Sequence, residues 1–168
     1  MALSAFENVA RLDPKLHLVC VGGKDLAEPD WWNSLCERTR RSSFSTRIHW
    51  ISNVEDVRPW YRAASVLILA SNNEAFGRVV VEAMSSGIPV IATRSGGIPE
   101  IINHGQDGIL VTPGNTKEII EAIKKIVFDG ELRYRITRFA KKRAQFFELS
   151  KHVKKMIEVF EDTIETHC

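Results

Sequence analysis

Residues 71–90 read SNNEAFGRVVVEAMSSGIPV, and the fold follows from them. A short apolar run, residues 66–70, precedes this stretch and reads as a buried strand. The chain then turns through Ser71, Asn72 and Asn73, passes Glu74 and enters a helix near Gly77, with Glu82 inside that helix. Ser85, Ser86 and Gly87 stop the helix, and residues 89–93 begin the next strand. A strand–loop–helix–strand unit of this kind is a right-handed crossover between parallel strands. Ligands of such sheets bind outside the carboxyl ends of the strands, where these loops lie.

The unit favours an anion flanked by hydroxyl groups. The first N–H groups of a helix have no carbonyl partner within it, and they combine with the helix dipole to attract negative charge. Gly77 lets a ligand approach the backbone. Glu74 and Glu82 are poor phosphate ligands but good acceptors for the hydroxyls of a sugar and a ribose. Glu82 lies among Val79, Val80, Val81, Ala83 and Met84, and a carboxylate buried there needs a partner. Each glutamate also has a plainer reading, Glu74 as a helix cap and Glu82 as a solvated or arginine-paired residue.

The segment EAFGRVVVE, Glu74 to Glu82, resembles the two-glutamate motif of retaining GT-B glycosyltransferases, the family 4 or group 1 type that includes glycogen and sucrose synthases. The continuation over residues 83–115 is similar to that family almost residue for residue. Two glutamates at this spacing would be a weak signal, whereas the whole run of residues 71–115 is specific. Ala75 stands where the family often has glycine.

The resemblance implies transfer of a hexosyl group from a nucleoside diphosphate sugar to an acceptor, with the anomeric configuration retained. It makes Glu74 the catalytic-site residue that bonds hydroxyls of the hexose. The N–H groups around Phe76, Gly77, Arg78 and Val79 would hold the sugar and the distal phosphate, with the Arg78 side chain equally suited to solvent. Glu82 would accept bonds from the ribose hydroxyls, and backbone groups of Ile51 and Ser52 would hold the base. No nucleophile is evident, which fits a front-face mechanism. Helix dipole and basic side chains would meet the leaving-group charge, so neither a metal nor a cofactor beyond the donor substrate is expected.

The rest of the chain fits the same plan. Residues 2–12 read as a helix, with Leu3, Phe6, Val9 and Ala10 at helical spacing, ended by Asp13 and Pro14. Residues 16–21 form an apolar strand, followed by the turn Gly22–Gly23, which is either a binding loop or a plain turn. Residues 30–41 are helical, with Trp31, Trp32 and Leu35 available for packing. Residues 47–51 are the next strand, with Ser52 and Asn53 at its carboxyl end. A helix with Pro59 in its first turn ends near Ala64, and residues 65–70 are the strand that delivers Glu74. Gly96 and Gly97 allow a tight passage beside the central loop, before a short helix over residues 99–102. Glu100 there is accounted for by the helix dipole. Residues 109–111 are a strand, Asn115 or Thr116 caps a helix over 117–128, and helices follow over 131–147 and 150–166. The result is an α/β fold, a Rossmann-like doubly wound parallel sheet with C-terminal helices.

Composition agrees with one domain over residues 1–168. The chain has 44% apolar and 26% charged residues and a formal net charge of +2, so its overall charge points to no acidic partner. Cys20, Cys36 and Cys168 are odd in number and lack metal-ligand spacing, which suits a reducing, cytoplasmic compartment. Cys20 reads as a small buried hydrophobe. No signal peptide and no apolar run of about 20 residues is present. None of His17, His49, His104, His152 and His167 belongs to a chemical motif.

In the resembled family a further strand and a loop with an Arg and a Lys precede the helix that residues 2–12 resemble, and a separate N-terminal domain binds the acceptor. The chain is therefore expected to be a donor-binding half cut at its N-terminal edge, with Met1 as an added start, and inactive alone. A short protein working with a separate partner chain is the alternative. The basic run Arg133, Arg135, Arg138, Lys141, Lys142, Arg143, Lys151, Lys154 and Lys155 reads as a solvated face, or as a contact with anionic lipid or the absent domain. No nucleic-acid motif accompanies it. Two rival functions are a non-catalytic nucleotide-sugar-binding subunit and a sugar-nucleotide epimerase or phosphorylase of the same fold.

Overall fold

Among the described residues, apolar runs bounded by turn residues become five short strands, all parallel to their neighbours. The computed structural model describes residues 1–22, 29–52 and 54–166. The order is α1 (Ala2–Val9), β1 (Leu18–Val21), α2 (Pro29–Arg41), β2 (Ile48–Ile51), α3 (Arg58–Ala63), β3 (Leu67–Leu69), α4 (Arg78–Ser86), β4 (Val90–Thr93), α5 (Ile98–Ile101), β5 (Ile109–Val111), α6 (Thr116–Phe128), α7 (Gly130–Ala144) and α8 (Leu149–Thr166). Element types match the sequence reading, and the differences lie at the ends. The first helix stops at Val9 because the chain tightens into a turn, with the Leu12 N–H donating to the Val9 carbonyl at 2.9 Å. The seventh helix stops at Ala144, and Gln145–Phe147 continues as one 3-10 turn.

Hydrogen bonds join the strands in two groups, β1–β2 and β3–β4–β5, and none among the described residues links β1 to β3. Leu18 pairs with Ile48, Leu67 with Val90, and Ile91 with Ile109. Strands covered on both faces have no polar alternation, and β4 is buried at all four positions. On one face Val90, Ala92 and Leu110 pack with Val80 and Met84 of α4, Ile98 and Ile101 of α5, and Ala140 of α7. On the other, Ile91 and Val111 meet Ala5 and Val9 of α1 and Ile119, Ile123 and Ile126 of α6. Full burial of each valine, leucine, isoleucine or methionine side chain among these stabilises the fold by about 1.5–3 kcal/mol.

Helix α1 ties the two strand groups together. Its Ala5 and Val9 belong to the core beneath β4, whereas Leu3, Phe6 and Ala10 pack with Ile48 of β2. Leu16 touches both clusters. The basic run of α7 is put to structural use. Arg133 Nη1 donates to the carbonyls of Ile126 and Val127 at the end of α6, and Arg143 donates to those of Glu100 and Ile101 at the end of α5. These guanidinium groups satisfy carbonyls that a helix end leaves open. No helix among the described residues is long and apolar enough to cross a membrane.

Candidate functional site at the carboxyl ends of the strands

The central loop runs from the end of β3 to the start of α4. Gly77 precedes the helix in the left-handed region, at φ 74° and ψ 50°, which glycine enters without a Cβ penalty. Glu74 folds back on this corner, and its Oε1 accepts a hydrogen bond from the Gly77 N–H at 3.1 Å. The carboxylate thus holds the N–H of the residue that precedes α4, as the helix-cap reading of Glu74 expects. Phe76, Arg78 and Val79 have N–H groups with no acceptor among the described residues, and the last two lie in the first turn, where the helix supplies none.

The loop is clamped from behind. The Gly97 N–H donates to the carbonyls of Glu74 and Ala75, each at 3.2 Å. A Cβ on Gly96 would overlap the Glu74 carbonyl oxygen and stand 2.7 Å from its carbon, and one on Gly97 would stand 2.5 Å from the Ala75 carbonyl oxygen. The tight passage read from Gly96–Gly97 is therefore a backbone-on-backbone contact. Thr93 and Ser95 add a second tie, their hydroxyls donating to the Ser71 carbonyl at 2.5 and 3.3 Å. Phe76 meets Phe147 edge to face at 6.1 Å between ring centres, so the turn after α7 also touches the loop.

Glu82 is exposed on α4 rather than buried among its apolar neighbours, and its side-chain partner is not an arginine. Tyr61 of α3, 8% exposed, donates its hydroxyl to Glu82 Oε2 at 2.9 Å. Burial, then the hydrogen bond to Glu82 and its negative charge, pushes the phenol well above its ordinary range, so the tyrosine remains a donor at any physiological pH. Nothing in the sequence spacing marks this pair, because 21 residues separate its members.

The other expected residues take these places. Gly22, at φ 147°, ends β1, and its N–H donates to the Ile51 carbonyl at 2.9 Å. That bond extends the β1–β2 ladder by one rung and occupies the Ile51 carbonyl. Ser52 follows on the exposed carboxyl end of β2. Gly23 lies outside the described residues, as does Asn53. The edges of β1–β2 and β3–β4 that carry Gly22, Ser52, Glu74 and Gly77 are all carboxyl ends.

Other features lie elsewhere. Two surface hollows of about 390 and 440 Å³ flank α1 and α2, lined by residues such as Glu7, Arg38, Arg41 and Phe44. They surround Glu7, which pairs with Arg38, and Ser42 in the turn between α2 and β2, and none of the expected site residues lines them, so shape alone does not mark the loop site. His17 and His49 hydrogen-bond edge to edge at 2.9 Å across β1 and β2, and His104 Nδ1 accepts from the Leu110 N–H. Cys20 is half-buried, and desolvation pushes its thiol up to about 11. No group of three or more His, Cys, Asp or Glu among the described residues is placed to hold a metal ion.

The family model for glycosyl transferases group 1 matches residues 1–143. A D-inositol 3-phosphate glycosyltransferase of Streptomyces bingchenggensis is 32% identical over 157 residues, which is 92% of this chain and 34% of that protein. Sulfoquinovosyl transferase SQD2 of Arabidopsis thaliana is 36% identical over 91 residues, 52% of this chain and 18% of that protein. The chain thus spans about a third or less of these curated relatives. Among solved structures, HepE of Anabaena in complex with UDP superposes with a TM-score of 0.87 at 27% identity, over 95% of this chain and 44% of that one. The C-terminal domain of the group 1 glycosyl transferase LpcC of Francisella tularensis gives 0.81 at 27% identity, over 88% and 78%. With the Rossmann-like half of a GT-B fold and the family pattern over most of its length, the chain belongs to the glycosyl transferases group 1 family.

Proposed function

We propose that this domain, residues 1–168, is the donor-binding half of a retaining glycosyltransferase of family 4 and binds a nucleoside diphosphate hexose at the carboxyl ends of its strands. The observation that carries this reading is the clamped loop. A backbone-on-backbone contact through Gly96 and Gly97 fixes Glu74, and two N–H groups at the start of α4 have no acceptor among the described residues. The solved relative HepE has been crystallised with UDP and with UDP-glucose, which supports a uridine donor here.

In this reading Glu74 leaves the Gly77 N–H when donor binds and turns its carboxylate to the hexose hydroxyls. The freed Gly77 N–H joins those of Phe76, Arg78 and Val79 around the distal phosphate. Glu82 receives the ribose, and the backbone after β2, at Ile51 and Ser52, receives the base. Gly22, at the carboxyl end of β1, lies beside them, and Gly23 is assigned to the same donor site from the family resemblance alone. Preorganised donors of this kind stabilise the charge that grows on the departing diphosphate, without a metal or further cofactor.

The acceptor belongs to a second domain of a longer protein. The gap in hydrogen bonding between β1 and β3 is the place for a further strand of that protein, with the loop after it supplying basic side chains to the diphosphate. Its place is the cytoplasm, with a peripheral contact between the remaining basic residues of α7 and anionic lipid as the membrane half of the same reading.

The test is calorimetric titration of the chain with UDP, GDP and ADP and their hexose conjugates, without metal. Binding of one nucleotide, weakened in Glu82→Ala, supports the reading. Binding of none at millimolar concentration, including to a longer form that restores the upstream residues, overturns it.

A further inference from the structure

We propose that Tyr61 is a positioning residue, which holds the Glu82 carboxylate in the orientation that receives a ribose diol. This inference rests on the donor-site reading above and names a residue outside the two-glutamate motif. A carboxylate has two oxygens, each able to accept more than one hydrogen bond. The Tyr61 hydroxyl takes one site on Oε2 at 2.9 Å, and Oε1 accepts nothing from the described residues. The torsion that turns a glutamate carboxylate is broad and roughly two-fold, so an unbound carboxylate samples many orientations. A fixed donor on one oxygen selects one of them and leaves the other oxygen facing away from α3.

Tyr61 is itself fixed. Its ring lies in the core cluster with Val80, Ala83 and Met84 of α4. The helix that carries it is short and anchored at both ends. Pro59 lies in its first turn, and the Ala64 N–H closes the last turn on the carbonyls of Trp60 and Tyr61. The hydroxyl is therefore held by packing rather than by Glu82 alone. A bond from a fixed neutral donor to an ionised acceptor is about twice as strong as one between neutral groups. Loss of a tyrosine with a merely structural bond to this exposed carboxylate would alter stability and affect all nucleotides alike; loss of a positioning tyrosine acts only through the ribose.

The experiment compares the native chain with Tyr61→Phe, Glu82→Ala and the double variant, titrated with UDP and with 2′,3′-dideoxyuridine diphosphate. Thermal unfolding confirms that each variant is folded, and Tyr61→Met replaces Tyr61→Phe if the latter is not. We expect Tyr61→Phe to weaken UDP about tenfold, the scale of one charge-assisted hydrogen bond. It should leave the dideoxy ligand within about twofold of native and have no effect in the Glu82→Ala background. Unchanged UDP affinity in Tyr61→Phe, or an equal loss for both ligands, overturns the role of Tyr61 while leaving the ribose contact standing. Unchanged UDP affinity in Glu82→Ala, or no UDP binding by either the native chain or a longer form that restores the upstream residues, overturns the ribose contact itself.

Discussion

Replacing Gly96 by alanine asks whether the central loop is held by backbone contact, as the geometry requires. Gly96 sits at φ 52°, in the region that costs an L-residue about 1–2 kcal/mol. Its new Cβ would also stand 2.7 Å from the Glu74 carbonyl carbon, and no flexible side chain can yield there. Carbon atoms prefer about 3.5–4.0 Å, so the loop must retreat by about 1 Å. Gly114 is the matched control: it lies at φ 82°, and a Cβ there meets nothing within 4 Å.

Gly114→Ala should therefore cost about 1–2 kcal/mol, while Gly96→Ala, with overpacking added, should cost about 2–5 kcal/mol. For a chain of this size each kcal/mol lowers Tm by about 2–4 °C. A displacement of about 1 Å at a positioned group can cost about a hundredfold in function, so Gly96→Ala should also abolish measurable UDP binding while Gly114→Ala leaves it intact. Thermal unfolding and calorimetry read both effects. Equal Tm shifts and equal affinities in the two variants would refute the clamp.

Two further predictions concern titrating groups. Glu118 is held below the usual glutamate range, first by the Thr112 N–H, then by the hydroxyl of Thr112, by Asn115 and by the charge of Arg94. A folded pKa below the unfolded one stabilises the fold above the unfolded value and loses that contribution as pH falls through the folded one. Glu118→Gln should therefore flatten the acid limb of a Tm-against-pH curve and leave the neutral region nearly parallel to native; an unchanged acid limb would contradict this. Cys20 has its pKa raised from the ordinary 9.0 to about 11 by burial. Its neutral form is favoured in the fold, so stability is full below about 9 and declines as pH rises toward 11. At pH 8 roughly one thiol in a thousand is ionised at such a pKa, so Cys20 should react with a thiol reagent far more slowly than a free cysteine, as mass mapping of the labelled chain would show. Labelling at the free-cysteine rate would contradict the burial.

Much of the site was legible because local rules set it. Gly77 at a strand-to-helix corner, Gly87 after the helix, and Asn115 capping α6 each answer a backbone demand that a few neighbouring residues define. The passage at Gly96–Gly97 was readable for the same reason. Contacts between distant segments were not. Tyr61 and Glu82 meet across two helices, and neither residue signals the other in the sequence. The basic run read as a solvated or lipid-facing surface, yet Arg133 and Arg143 are committed to helix-end carbonyls. Charge patterning shows where cations concentrate, whereas the carbonyls they reach depend on how α6 and α5 end against α7. The separation of β1–β2 from β3–β4–β5 is likewise a property of assembly, since each strand alone has the composition of a buried one.

In the proposed function the donor nucleotide sits at the carboxyl ends of the strands, on the loop that leads into α4. Adding UDP-glucose to isotopically labelled chain and following the backbone amide signals tests this residue by residue. Donor bound there shifts the amides of Gly22, Ser52 and Phe76–Val79, with the Gly77 amide changing as Glu74 releases it. Shifts confined to the hollows beside α1 and α2, around Glu7, Arg38 and Phe44, with the loop amides unmoved, would contradict it.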